Sequence, residues 1–430
     1  MAVDGAPKVR AGFIPVIKAY KGLISIAFLL MVFSGFGQSV FFGIYLPDIQ
    51  SRFDIDKTTL GRIYAAATVI SALFMVWSGK FLDIMPLRRF ITIVLCGLAL
   101  GCAVMGLATH PVMLFIAFLL LRQCGQGLMI LSGTTAINRY IDEGRGRAQS
   151  IAQSGLPVHG ALFPLAGYFI IDALGYSASW LSYCAFILCV LMPFFMYFLR
   201  HHETKTHAGW KKRLDDQDKQ KLSAQNLQSQ IPQLEWTRSR VLKDWRFYMI
   251  MVIMTIPPCF GTAIFFYQTA IADALNLSAA TFAGGFVFLT LASVITALIA
   301  GSIMDSFGEK PLLLSFPILY ALGLFILSHY GGVWATYGAL SIIGAGGGIT
   351  SITGGPLFAK MYGTKYYGSI KSLSITAMIL ASAVSPPLTG YLLDSGIGIA
   401  QILFYFAIYS IAAWSIVAVF INKITGATKA

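Results

Sequence analysis

Residues 79–83 read Gly-Lys-Phe-Leu-Asp, and residues 301–305 repeat this pattern as Gly-Ser-Ile-Met-Asp. Three further pairs follow in the same chain order at nearly the same offset: Phe36-Gly37 with Phe260-Gly261, Gly146 with Gly368, and Pro164-Leu-Ala-Gly-Tyr168 with Pro387-Leu-Thr-Gly-Tyr391. Matches at one offset over most of the chain predict two related halves that arose by internal duplication.

The sequence around these repeats is apolar. Of its 430 residues 57% are hydrophobic and 11% charged, whereas soluble proteins average about 45–50% and about 25%. Apolar segments long enough to cross a hydrocarbon layer of about 30 Å as helices recur in twelve places, here called spans one to twelve. They are 22–46, 58–79, 90–109, 112–137, 148–172, 178–199, 247–271, 281–304, 311–329, 333–359, 369–393 and 399–422.

This pattern excludes a soluble enzyme, a disordered chain and a collagen-like fibre. It predicts an all-α membrane protein of twelve transmembrane helices in two six-helix bundles. The predicted parts are an N-terminus (1–21), a first bundle (22–199), a linker (200–246), a second bundle (247–422) and a C-terminus (423–430). The linker is polar, and its His201, His202 and His207 lack a surrounding ligand frame, so we expect a solvated linker, no metal and no cofactor.

Basic residues set the orientation. Most of the 31 Lys and Arg residues lie in the N-terminus, the linker and alternate loops, including Arg139, Arg145 and Arg147 after span four. Such a bias marks cytoplasmic segments, so we expect a multi-pass inner-membrane protein with both termini in the cytoplasm. It also excludes nucleic acid as a partner. Aromatic residues near span ends, such as Trp180, Trp245 and Trp334, are typical of the membrane interface.

The twelve spans, the charged central loop, and Gly79-x-x-x-Asp83 followed by Arg88-Arg89 resemble the major facilitator superfamily over the entire chain. In that family this loop lies at the cytoplasmic gate, and the resemblance implies a gating role for Gly79, Asp83, Arg88, Arg89 and, in the second copy, Asp305. Ile84 and Pro86 depart from the family pattern. Gly-Arg-Gly-Arg at 144–147 and Met361-Tyr-Gly363 resemble the bacterial branch that includes monocarboxylate and oxalate/formate carriers.

Arg122 lies about ten residues from the outer end of span four and hence about 15 Å deep. Burying a guanidinium in a bilayer costs at least about 2.5 kcal/mol on insertion scales, so it should face the bundle interior and have a partner. Arg122-x-x-Gly125-x-Gly127 also resembles the superfamily's fourth-span motif. We interpret Arg122 as a substrate anchor or coupling residue. The alternative is an arginine that holds the first half together through backbone carbonyls.

His159 lies at a similar depth in span five and is a candidate for proton coupling or substrate binding, because histidine changes charge near neutral pH. A neutral histidine bonded within the packed half is the alternative. Polar residues of spans one, four, seven and ten, which line the cavity in the family, complete the candidate set, and each could instead serve helix contacts. They are Gln38, Gln126, Tyr267, Gln268 and Thr350.

All 18 acidic residues lie in loops or near span ends, which favours an anionic or neutral polar substrate over a cation. We predict a monomeric secondary carrier, not an enzyme, that moves a small organic anion or similar polar metabolite by alternating access, with a proton or counter-anion as possible partner. Uniport, anion exchange and proton symport through His159 stay open. The alternatives are an exporter of a larger amphipathic compound, such as a siderophore or drug, and a transport-inactive membrane sensor.

Glycine and proline clusters occur in three spans. They are Gly344-Ala-Gly346-Gly347-Gly348, Pro257-Pro258 and Pro386-Pro387. Two interpretations are open: helix breaks that permit motion, or close helix packing by small residues.

Overall fold

The computed structural model describes residues 13–141, 145–200, 236–363 and 367–425. These ranges are helical and contain no strand. Eleven helical stretches within them are long and apolar enough to cross a membrane. The longest, Arg147–Arg200, contains predicted spans five and six and is interrupted at Gly175, where φ is 73° and ψ is 176°. Each remaining stretch matches one remaining predicted span. The prediction of an all-α membrane fold is confirmed.

Several spans are built from more than one helix. In the first half of the chain the α-helices are Phe13–Phe33, Ser39–Phe42, Leu46–Phe53, Lys57–Ile84, Leu87–Leu107, Pro111–Leu120, Ile130–Tyr140, Arg145–Gln153 and Gly155–Phe186. Short 3₁₀ turns at Ser34–Gly37 and Gly43–Tyr45 interrupt span one. The π-helical segments Leu121–Met129 and Ile187–Leu191 lie in spans four and six.

The second half has fewer interruptions. Its helices are Arg238–Val241, Trp245–Met254, Ile256–Phe266, Gln268–Ala274, Ala279–Phe307, Lys310–His329, Val333–Tyr362, Tyr367–Asp394 and Ile399–Thr425. Side-chain caps start several of them: the Asp244 carboxylate accepts the Arg246 N–H at 3.1 Å, and the Ser278 hydroxyl accepts the Thr281 N–H at 3.1 Å. Such caps satisfy N–H groups that have no partner within the helix.

The described residues form two compact units. The first contains the chain up to Gln38, then Ile70–His159, and then the chain from Leu174 to residue 200; the second contains Ser39–Val69, Gly160–Ala173 and the chain from residue 236 onward. Three of the unit boundaries fall within spans one, two and five, and the boundary between Ala173 and Leu174 falls between spans five and six. The division into bundles at 22–199 and 247–422 stays a prediction. Most of the predicted linker, 201–235, lies outside the described residues.

Trp180 corrects one sequence-based expectation. It is fully buried in the first unit, and its ring meets that of Tyr183 with centroids 5.9 Å apart. The interface position predicted for it is therefore wrong, because the neighbouring Gly106 leaves room for the indole inside the packed helices: a Cβ added at Gly106 would lie 3.0 Å from the Trp180 Cβ. Trp245 and Trp334 are exposed, as expected for residues at the protein surface.

Candidate functional site

Span one is broken near its middle. The α-helix ends at Phe33, a 3₁₀ turn covers Ser34–Gly37, and Gln38 is extended with φ −93° and ψ 148°. An extended residue interrupts the bonding pattern in which each carbonyl accepts the N–H four residues later. Carbonyls just before Gln38 must therefore find partners elsewhere.

Arg122 supplies one such partner. Its side chain is buried, with 4% of the residue exposed, and its Nη1 donates to the Gly37 carbonyl oxygen at 3.2 Å. The residue lies in the π-helical segment Leu121–Met129, and such segments are frequent at functional sites. This burial agrees with the deep interior position predicted for Arg122. The bond to a backbone carbonyl is the contact expected if Arg122 holds the first half of the chain together.

Two glycines explain how Arg122 reaches span one. A Cβ added at Gly125 would lie only 2.7 Å from the Gly37 backbone nitrogen, so the two backbones touch at this point. Gly125 lies three residues after Arg122 in the same π-helical segment. The spacing Arg-x-x-Gly therefore places the contact between the Gly125 and Gly37 backbones next to the guanidinium that donates to the Gly37 carbonyl.

Gln38 and Gln126 flank the same contact. Gln126 is one helical turn from Arg122, and a Cβ added at Gly37 would overlap its backbone nitrogen. Both glutamines are half-buried, and within the described part of the chain neither side-chain amide makes a hydrogen bond. The structure thus brings the Arg122 guanidinium and the backbones of Gln38 and Gln126 together around Gly37. A role of the two amides in substrate binding stays a prediction.

His159 also contacts span one, from span five. It is buried with 8% exposed and hydrogen-bonds the backbone of Met31. Gly155, one turn earlier, permits the approach, since a Cβ there would lie 2.9 Å from the Met31 Cβ. His159 and Arg122 therefore both bond the backbone of span one inside the first unit.

The other predicted binding residues lie in the second unit and are engaged with the protein itself. The Tyr267 hydroxyl donates to the Pro386 carbonyl at 2.8 Å, and the Gln268 side-chain amide donates to the Val40 carbonyl at 2.8 Å. The Thr350 hydroxyl donates to the Gly346 carbonyl of its own helix at 2.8 Å. Their role in substrate binding stays a prediction.

The predicted gating residues are only partly described. Gly79, Asp83 and Asp305 fall at positions whose side chains lie outside the described structure. Arg88 is half-buried and Arg89 exposed in the first turn of Leu87–Leu107. Their gating role stays a prediction.

Arg139, expected in a cytoplasmic loop, instead bonds a neighbouring helix. Arg139 is buried in the last turn of Ile130–Tyr140, and its Nη2 donates to the Leu82 carbonyl at 2.7 Å. Leu82 lies in the last turn of Lys57–Ile84, where carbonyls lack helical partners and a cation is favourable. A basic residue inside the last turn of an apolar span was the signal for this role.

A second missed contact ties span two to span eleven in the second unit. The Asp394 carboxylate accepts both the Thr58 backbone N–H at 2.7 Å and the Thr58 hydroxyl at 2.6 Å. The Asp56 carboxylate accepts the Thr59 backbone N–H at 2.6 Å. Hydrogen bonds from the Thr59 side chain and backbone lower the pKa of the Asp56 carboxyl. Two carboxylates therefore stabilise the positive end of one helix.

The second unit also contains a cavity of about 190 Å³ among spans seven to ten. Glycine, proline and large apolar side chains form most of its wall, and the residues of the wall include no charge. Ser293 and Tyr320 supply its side-chain hydroxyls. Tyr320 is 5% exposed, and its hydroxyl makes no hydrogen bond to any described residue.

Comparisons with known proteins agree with this architecture. The family model "Major Facilitator Superfamily" matches residues 27–290 and 259–429. A bacterial homolog of the human lysosomal transporter Spinster, solved in an inward-facing and unoccupied conformation, is similar with a TM-score of 0.67 and 10% identity, covering 94% of this chain and 98% of that one. No curated protein sequence matches significantly.

Two further solved structures share the fold. The nucleoside transporter NupG has a TM-score of 0.69 and 13% identity, covering 94% of this chain and 98% of that one. A D-xylose-proton symporter has a TM-score of 0.68 and 16% identity, covering 95% of this chain and 98% of that one. At these identities the likeness extends to the fold and not to the substrate.

Proposed function

Because the chain belongs to the Major Facilitator Superfamily, and is therefore a membrane transporter and not an enzyme, we propose that it moves a small organic anion or similar polar metabolite across the inner membrane by alternating access. The observation that supports this substrate class is the buried Arg122 guanidinium at the Gly37 carbonyl, where the backbones of Gln38 and Gln126 also lie. A guanidinium is the side chain best suited to bind a carboxylate through paired N–H donors.

The two glutamine amides suit the rest of such a substrate. Each offers both a donor and an acceptor to hydroxyl or carbonyl groups. The break at Gln38 adds backbone groups that are not used by a continuous helix, an arrangement that transporters use at substrate sites. The absence of acidic residues from span centres in the sequence removes the usual ligands of a cationic substrate.

The proposed mechanism includes the residues that the structure finds bonded to the protein. Tyr267 and Gln268 would exchange their bonds to Pro386 and Val40 for substrate contacts as the carrier changes state, with Thr350 lining the same path. We further propose that Gly79, Asp83, Arg88, Arg89 and Asp305 form the cytoplasmic gate, with both termini on that side.

Uptake into proteoliposomes tests the proposal. Purified protein would be assayed with a panel of labelled carboxylates and sugars, with and without a pH gradient, and then as Arg122→Lys and Arg122→Met. We expect uptake of a carboxylate that falls in Arg122→Lys and is lost in Arg122→Met. Unchanged uptake in Arg122→Met would overturn the anchor role. If the wild type takes up none of the compounds, the result would favour the transport-inactive sensor.

Gln123→Met is the matched control, because it also removes a polar side chain, here a half-buried one, from span four. Gln123 bonds Ser71 and Ser78 at 2.9 and 2.7 Å and is not part of the cluster around Gly37. This variant should keep its uptake. If Gln123→Met loses uptake as fully as Arg122→Met, the loss in Arg122→Met reflects general damage to this helix and not a role in substrate binding.

Coupling is tested at His159. For proton symport, His159→Gln should remove the dependence of uptake on the pH gradient while leaving exchange of substrate across the membrane. If the gradient dependence persists in the variant, His159 is a packing residue, and uniport or anion exchange is the mechanism to examine.

A further inference from the structure

The cavity in the second unit has the size of a small ring. Its volume is about 190 Å³, and an engineered protein cavity of about 150 Å³ holds benzene. Pro257, Gly261, Phe265 and Leu289 contribute to a wall of apolar groups. An uncharged ring therefore fits the space, whereas a charged group would lose its hydration with no charged partner in this wall.

Two of the three glycines on the wall, Gly261 and Gly347, border open space. A Cβ added at Gly347 would have the Tyr320 hydroxyl, 3.6 Å away, as its nearest neighbour, and a Cβ at Gly261 would have the Phe265 Cε2 atom at 3.9 Å. Both distances are ordinary contacts, so these glycines are not needed to let helices touch. They leave space between spans seven, nine and ten.

Tyr320 distinguishes between possible occupants. Only 5% of the residue is exposed, and its hydroxyl makes no hydrogen bond to any described residue, so a polar atom inside the cavity would supply the partner that the described protein does not. A lipid acyl chain offers no acceptor or donor. A ring that carries a hydroxyl, carbonyl or ether oxygen does, and the nearby Ser293 hydroxyl could serve a second polar atom.

We propose that this cavity is a binding site for an uncharged, ring-sized portion of the transported substrate, with the Tyr320 hydroxyl hydrogen-bonded to an oxygen on that ring. The assignment to the substrate rests on the proposed transport function. The transported compound then carries an aromatic or alicyclic ring in addition to the polar group recognised by the carrier.

Binding of 4-fluorophenol tests the site without a transport assay. The full chain in lipid nanodiscs would be titrated and followed by ¹⁹F NMR, with empty nanodiscs as the reference for partitioning into lipid. We expect saturable binding to the wild type that is lost in Gly347→Val, which fills the cavity. Gly338→Val is the matched control on the same helix, because a Cβ at Gly338 meets no atom within 4 Å, and it should bind as the wild type does.

Two more variants separate the hydroxyl from the space. Tyr320→Phe should weaken 4-fluorophenol binding about fivefold, the effect of one neutral hydrogen bond, and leave fluorobenzene binding unchanged. Gly261→Ala, a smaller filling, should weaken both probes, which keeps the test decisive if Gly347→Val fails to fold. Equal binding in all variants, or none beyond empty nanodiscs, would overturn the site and favour a cavity occupied by lipid.

Uptake then distinguishes this site from the wider proposal. Labelled 4-hydroxybenzoate and lactate would be compared in wild type, Gly347→Val and Gly338→Val. Selective loss of 4-hydroxybenzoate uptake in Gly347→Val supports the ring site, whereas equal retention or equal loss of both substrates contradicts its role in transport. Failure of the wild type to take up either compound would count against the proposed function, while the NMR result would still decide whether the cavity binds a ring.

Discussion

Gly37 and Gly125 bring two backbones together beside Arg122, whereas Gly347 leaves a cavity beside the Tyr320 hydroxyl. In the first unit Gly125 and Gly37 allow span four to touch span one, and the freed carbonyl of Gly37 is bonded by Arg122. In the second unit Gly347 leaves room in front of the Tyr320 hydroxyl. The same residue type therefore serves close packing in one region and ligand space in the other.

The difference follows from what each polar group faces. The Arg122 guanidinium lies next to the helix break at Gln38, where the Gly37 carbonyl has no partner within the helix. One of its N–H groups therefore bonds this carbonyl and contributes to the fold. The Tyr320 hydroxyl has no such neighbour among the described residues. A polar side chain next to a helix break therefore divides its hydrogen-bonding groups between the unbonded backbone and any ligand.

The largest effect is expected at Gly125. Gly125→Ala would place a Cβ 2.7 Å from the Gly37 backbone nitrogen, and backbone cannot move aside as a side chain can. We expect a loss of about 3 kcal/mol or more in stability, measured as a lower thermal midpoint of the purified protein. Gly338→Ala, in open space, is the control. An unchanged midpoint in Gly125→Ala would show that the two backbones do not touch.

A smaller effect is expected at Arg122. Arg122→Met leaves the buried Gly37 carbonyl without this donor, which should cost about 2 kcal/mol and lower the thermal midpoint. Arg139→Met removes a comparable bond, to Leu82, and should cost a similar amount. A transported carboxylate should raise the midpoint of Arg139→Met but not of Arg122→Met. Equal stabilisation of both variants would contradict substrate binding at Arg122.

The contact of Asp394 with Thr58 tests whether a polar bond to backbone matters equally in the second unit. Asp394→Asn keeps an acceptor but removes the charge that strengthens its two bonds, so we expect a loss of about 1 kcal/mol. Thermal midpoints in the same detergent would measure it. Ser395→Ala, at the adjacent exposed position, is the control, and a result equal to that control would rule the contact out as a stabilising one.

The smallest effect is expected at Gly347. Gly347→Ala adds a methyl group at an ordinary contact distance and gains helix propensity, so stability should rise by less than about 1 kcal/mol. Its thermal midpoint should equal or slightly exceed that of the wild type. A marked decrease would show that the space beside Tyr320 is filled, and the contrast between the two regions would disappear.

Some of the candidate site could be predicted from the sequence. Arg122 was identified because a charge deep in an apolar span is costly, and burial of the residue agrees with that argument. Its backbone partner could not be identified, because the break at Gln38 has no proline or charge to mark it. Arg139 and Asp394 were missed because positions near span ends are usually solvated, whereas here they bond the ends of Lys57–Ile84.

The sequence alone determined the solvent of this protein and therefore its fold class. Long apolar segments with few charges must satisfy their backbone internally, and the repeats at one offset predicted two related halves. Only the tertiary structure decided which glycines close a contact and which open a cavity, and which polar side chains the backbone occupies. These outcomes depend on distances between spans far apart in the chain, and composition and spacing along the sequence do not specify such distances.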